Sequence, residues 1–246
     1  MGEMTPYYQA LMRLLGTIQR GQYATIDKAA RLATESLLAD GVLHVFGSGH
    51  SHAVAEEAFH RAGGLVPVNL IQESFLTPQT PPSISGQLER VPGIARVLVE
   101  AFDLRRGEVL VVISNSGINA VPVEMALEAR ERGLQVVAIT SLGHSQQSAS
   151  RHPSGRRLFE AADVVIDNGA PPGDAAVAYP GSAVRVGAVS QVAGAYIMNS
   201  LVCRVVELFL ERGQTPPVYL SANVSGGDQH NRALEARYRP RIRLLR

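Results

Sequence analysis

Cysteine is nearly absent: the 246 residues contain one, Cys203, which excludes an intrachain disulfide and a cysteine-rich zinc site. Its place in the apolar run 198–210 reads as a small core residue on a helix. Charge imbalance is also missing. With 23 Lys+Arg against 22 Asp+Glu the net charge is +1, so no broad positive field exists to hold a nucleic acid. A chain that is 46% hydrophobic and only 18% charged is not a disordered one. No stretch reaches the roughly 20 apolar residues that a membrane span needs. Residues 1–10 lack the charged segment, apolar run and small-residue cleavage site of a secretory signal. These absences lead us to expect a cytoplasmic protein with neither nucleic acid nor membrane as partner. We find no repeat of fixed period, and at this length a single domain over 1–246 is the expectation.

What the sequence does contain is alternation. Residues 7–39 carry Leu11, Leu14, Leu15, Ile18, Ile26, Ala29, Ala30, Ala33 and Leu37 at mostly helical spacing, which predicts helices over 1–40 with Gly21 as a weak point. From residue 42 the texture changes to short apolar runs at 42–46, 66–71, 109–113, 135–139 and 164–166, each of strand length. Between most of them lie helical patterns at 53–62, 95–102 and 120–132, with a shorter one leading to Ala162. This is the βαβ alternation of a doubly wound, mostly parallel five-stranded sheet over 41–168, and the unbroken apolar runs say that both faces are covered. Residues 77–86 are too proline-rich for a regular element and read as a surface loop, either a lid or a connector. An irregular stretch at 168–187 follows, then an apolar helix at 189–211 and a polar tail ending in Arg237, Arg239, Arg241, Arg243 and Arg246. Lacking aromatic stacking residues, that tail reads as a solvated end or a subunit contact, not a nucleic-acid site.

Two strand ends carry chemistry. The first continues as Gly47-Ser48-Gly49-His50-Ser51-His52, the second as Ser114-Asn115-Ser116-Gly117-Ile118-Asn119, and a helix follows each. Glycine allows a sharp turn that brings backbone N–H groups close to a ligand, and the following helix adds its positive end. Ser114, Ser116 and Asn119 add uncharged donors, which suits a phosphate monoester. Helix N-capping is the other use for Ser51 and Ser116. The dinucleotide fingerprint is incomplete, since His52 stands where the third glycine belongs, and no GK[ST] follows either turn.

These two loops resemble the two signatures of the SIS (sugar isomerase) domain family, over residues 42–167. The chain is most similar to a bacterial group of single-domain SIS proteins related to phosphoheptose isomerase and N-acetylmuramic acid 6-phosphate etherase. Glu56-Glu57, Arg61-Ala62-Gly63-Gly64, residues 150–155 and Asp167-Asn168-Gly169 are in that group's style. The resemblance implies a flavodoxin-like three-layer sandwich with a phosphorylated sugar bound at Ser114, Ser116 and Asn119, and with Ser48 and Ser51 reaching the phosphate or the sugar hydroxyls.

Chemistry on an open-chain sugar phosphate starts with removal of the proton next to the carbonyl, which needs a carboxylate or an imidazole. Glu56, Glu57 and His60 lie on the helix predicted after the first loop, Glu56 and His60 as an i, i+4 pair on one face. One of the adjacent glutamates is expected to face the crevice; Glu57 is our first candidate for the base and Glu56 the second. His50, His52, His152 and His230 compete for the acid role. Glu56 with His60 offers two metal ligands, but no others follow at a recognisable spacing, so no metal or other cofactor is assigned. The expectation is an isomerase or lyase acting on an aldose or N-acetylaminosugar 6-phosphate, with a non-catalytic sugar-phosphate sensor as the alternative. The apolar helices at both ends predict a homodimer or homotetramer.

Overall fold

A computed structural model describes residues 4–246. The chain begins with α1 (Pro6–Leu38), whose first turn is set by Pro6 and by the Thr5 hydroxyl accepting from the Tyr8 N–H at 3.3 Å. It continues through β1 (Leu43–Gly47), α2 (His52–Glu57) and β2 (Val68–Ile71) to α3 (Pro82–Leu88) and α4 (Ile94–Ala101). Then come β3 (Val109–Ile113), α5 (Ala120–Glu131), β4 (Gln135–Thr140), α6 (Leu142–Ser145), α7 (Leu158–Ala161) and β5 (Val164–Asp167). A hairpin of β6 (Ala175–Val177) and β7 (Val186–Ala188) leads into α8 (Ser190–Glu211), and α9 (Gly227–Tyr238) precedes the C-terminus.

Strands β1 to β5 form one parallel sheet in the order β2-β1-β3-β4-β5. Successive residues of each strand feed opposite layers: Val109, Val111 and Ile113 pack with α1, α2 and α8, while Leu110 and Val112 pack with α4, α5 and α7. That is why the strands read as unbroken apolar runs. The expectation that no stretch is apolar enough to span a membrane needs correction, because α8 passes by length and composition. Its Ile197, Leu201, Val205 and Leu208 are nevertheless buried in the layer it shares with α1, so it serves as a core helix.

Several expectations need correction. Gly21 does not interrupt α1, because Ile18 and Ile26 on either side are both buried in the core and hold the helix through it. The proline-rich stretch is not wholly irregular: Pro82 occupies the first position of α3, where its missing N–H costs nothing. The stretch at 168–187 contains the β6–β7 hairpin, and the polar tail contains α9. Tail arginines engage carboxylates of the body; Arg241 bonds both Asp103 and Glu108, and Arg243 bonds Glu73. Cys203 lies on the exposed side of α8, not in the core.

Candidate functional site

The chain leaves β1 towards one edge of the sheet and β3 towards the other, so their carboxyl ends border a topological switch point, where parallel sheets open a crevice. Both glycine-rich loops emerge there. Gly47 ends β1, and a side-chain carbon on it would collide with the Ser51 carbonyl group. Only glycine lets the loop fold back this tightly. His52 Nδ1–H donates to the Gly49 carbonyl at 2.6 Å and pins the turn.

The second loop is anchored from beneath. The buried Ser114 hydroxyl accepts from the Gly117 N–H at 3.2 Å. Gly117 has φ +62°, and an added Cβ would sit 2.9 Å from Thr140 Oγ1. The Gly117 carbonyl accepts from Leu158 N–H at 2.8 Å and the Ile118 carbonyl from Arg151 N–H at 2.8 Å, so the segment after α6 closes behind the loop. Among the described residues, the N–H groups of Ser116, Ile118 and Asn119 have no protein partner. Unpaired donors on a left-handed turn before a helix suit an anion.

A cleft of about 230 Å³ opens between these loops and the start of α8. Of the residues singled out in the sequence, His50, Ser51 and Asn115 line it, together with Val54, Asn168, Asp174 and Gln191. Asn168 Nδ2 donates to Asn115 Oδ1 at 3.0 Å, and Asn168 Oδ1 accepts from the Ala170 N–H at 3.0 Å. Asp174, itself at φ +67°, caps α8: its carboxylate accepts from Val189 N–H at 3.1 Å, from Ser190 N–H at 2.7 Å and from the Ser190 hydroxyl at 2.6 Å.

Other singled-out residues lie elsewhere. Ser48 is buried and donates its hydroxyl to Glu89 Oε1 at 2.6 Å. Asn119 Oδ1 accepts from Arg151 Nη1 at 2.7 Å, which brings a guanidinium to the rim of the second loop. Neither adjacent glutamate lines the cleft. Glu56 accepts from Gln72 Nε2 at 2.7 Å. Glu57 is paired with Arg61 and accepts from Asn199 Nδ2 of α8 at 2.9 Å, one helical turn along α2 from the cleft-lining Val54. The expected Glu56–His60 face does not form, because α2 ends at Glu57 and His60 takes φ +45°. His60 turns away to Glu235, 3.1 Å distant, and to the edge of Tyr219, so the two suggested metal ligands do not converge.

Asn168, Asp174, Gln191, Arg151 and Glu89 complete the surroundings and were not assigned site roles from the sequence. Asp167-Asn168-Gly169 and Arg151 stood in stretches already marked by the resemblance. Asp174 meets Ser190 at a sequence separation of 16, across the hairpin, a distance that leaves no local pattern.

The family model described as the SIS domain matches residues 6–141. The chain belongs to the SIS domain family. Among curated proteins, this SIS protein is 42% identical to a UPF0309 protein of Halalkalibacterium halodurans over 227 residues, 92% of this chain and 94% of that one. It is 40% identical to a UPF0309 protein of Caldanaerobacter subterraneus over 242 residues, covering 97% and 98%. Among solved structures it shares its fold with a phosphoheptose isomerase from Neisseria gonorrhoeae at TM-score 0.56 and 21% identity, covering 82% of this chain and 95% of that one. It also shares it with the Vibrio vulnificus NanR protein complexed with ManNAc-6P, at TM-score 0.52 and 14% identity, covering 96% and 69%.

Proposed function

We propose that this SIS protein is a cytoplasmic sugar-phosphate enzyme that removes the proton alpha to the carbonyl of an aldose or N-acetylaminosugar 6-phosphate, giving isomerisation or elimination. The observation that carries the reading is the set of unpaired N–H groups on loop 114–119 beside a cleft lined by His50, Ser51 and Asn115. A phosphate monoester meets uncharged donors and the positive end of α5 there, and Arg151 at the rim adds charge. The folds shared with a phosphoheptose isomerase and with a ManNAc-6P complex support a ligand of this class.

In this reading Glu57, which does not line the cleft but lies one helical turn along α2 from its Val54 wall, is the base that takes the proton. Its side chain is paired with Arg61 and stays 29% exposed between α2 and α8. His50, in the cleft, donates to the developing enolate oxygen. Return of the proton to the neighbouring carbon is isomerisation; loss of the substituent beyond it is elimination. Incubation with a panel of hexose, heptose and N-acetylaminosugar 6-phosphates, with products identified by NMR, separates the two outcomes.

A phosphosugar sensor is the second reading, favoured by the NanR likeness, which spans nearly the whole chain. Saturable binding without any product would select it. Tyr8, Met12 and Tyr23 of α1 and Tyr179 and Val184 of the hairpin are exposed, which supports a homodimer or homotetramer. Light scattering that finds a monomer at micromolar concentration would remove that part of the proposal.

A further inference from the structure

His50 borders a second compartment besides the cleft. About 170 Å³ in volume, it lies between the Gly49–His50 turn and the segment that contains α3. Its walls are unlike those of the main cleft. Leu76, Pro78 and Pro82 are apolar, and Glu89 supplies a carboxylate. One oxygen of that carboxylate, Oε1, accepts the Ser48 hydroxyl at 2.6 Å. The other, Oε2, has no protein partner among the described residues. Gly86 leaves the space open, since a side-chain carbon added there meets nothing within 4 Å.

Resting on the sugar-phosphate reading, we infer that this compartment receives the acylamino substituent of the sugar, so that the substrate class is 2-acylamino sugar phosphates and not plain hexose phosphates. A group that fits must give Glu89 Oε2 a hydrogen-bond donor and cover the two prolines and Leu76 with apolar surface. A hydroxyl meets the first demand and leaves the apolar walls wet. An ammonium meets it too, but loses hydration against the prolines. An acylamino group meets both: its N–H points to Glu89 and its methyl lies on the apolar walls. A pocket that loses a matched donor and a buried methyl discriminates by about tenfold or more.

The test is calorimetric titration of the full chain with glucose 6-phosphate, glucosamine 6-phosphate and N-acetylglucosamine 6-phosphate. The acetamido sugar is expected to bind about tenfold or more tightly than the other two. Gly86→Leu, which suits a helix and fills the compartment, is expected to collapse that ratio towards one. Equal binding of the three sugars, tightest binding of the free amine, or a ratio unchanged in a folded Gly86→Leu protein would each overturn the inference while leaving the sugar-phosphate reading in place. Failure of every phosphorylated sugar to bind would remove both. Where Gly86→Leu loses its fold by circular dichroism, the wild-type ratio decides.

Discussion

Asn168, just past the end of β5, donates its side-chain N–H to the carboxamide oxygen of Asn115 at 3.0 Å, and so ties the far side of the sheet to the loop proposed to hold phosphate. Asn168 is buried, its backbone N–H bonds the Thr140 carbonyl at 2.9 Å, and its own Oδ1 is occupied by the Ala170 N–H. The amide is therefore bonded at both ends, and its donor half holds the Asn115 side chain at the cleft.

Asn168→Asp removes that donor without changing shape and sets a carboxylate oxygen against Asn115 Oδ1. A buried acceptor facing an acceptor costs about 1–3 kcal/mol. The variant should be destabilised by that amount in urea unfolding and bind sugar phosphate more weakly. Unchanged affinity would show that Asn115 plays no part in the ligand site.

Gly117→Ala tests the second loop. A left-handed conformation costs a residue with a Cβ about 1–2 kcal/mol, and here the added methyl also lies 2.9 Å from Thr140 Oγ1 and 3.2 Å from Ser145 Oγ. Lower thermal stability and loss of phosphate binding are expected together. Wild-type affinity measured by titration would mean that the turn is structural and the anion sits elsewhere.

Much of this arrangement is legible in the sequence. The five apolar runs, the two glycine loops and the order of elements follow from strand-length hydrophobic segments, because both faces of the sheet are buried and no polar alternation confuses them. What escapes is set by contacts distant in sequence. Gly21 reads as a break and does not break α1, since burial of Ile18 and Ile26 outweighs the backbone freedom of one glycine. α9 is invisible to a search for apolar helices because only Gly227 and Tyr238 of its residues are buried and it is held by pairs such as His60 with Glu235. Likewise the face shared by Glu56 and His60 depends on α2 reaching residue 60, and it stops at Glu57.

A polar cluster behind the sheet predicts acid sensitivity. His44 and Glu108 are both buried, with His44 Nε2–H donating to Glu108 Oε2 at 2.8 Å and Asn69 Nδ2 donating to His44 Nδ1 at 3.1 Å. Burial pushes the His44 imidazolium below its ordinary 6.5, despite the pull of Glu108. For Glu108, burial works to raise the pKa, but hydrogen bonds from His44, Arg241 and the Arg105 N–H outweigh it and hold the carboxyl below the usual range.

The signs follow from proton counting. Below pH 6.5 the unfolded chain protonates His44 while the folded chain does not, so stability falls as pH drops, by at most about 1.4 kcal/mol per pH unit for one proton. The contribution of Glu108 is present above the ordinary carboxylate range and is lost only as pH falls through its lowered folded value. Denaturant unfolding between pH 7.5 and 5.5 should show a declining midpoint, with a shallower decline in His44→Gln. Equal slopes for the two proteins would contradict a buried neutral His44.

Proton abstraction is the central claim, and it is read most directly from the hydrogen at carbon two of the bound sugar. The wild-type protein, mixed in deuterated water with a phosphorylated aldose or N-acetylaminosugar, should exchange that hydrogen in the proton NMR spectrum. Glu57→Gln should slow the exchange about 100-fold or more while still binding the sugar, and His50→Gln should slow it as well. No exchange in the wild type with any sugar phosphate that binds, or full exchange in Glu57→Gln, would contradict the account.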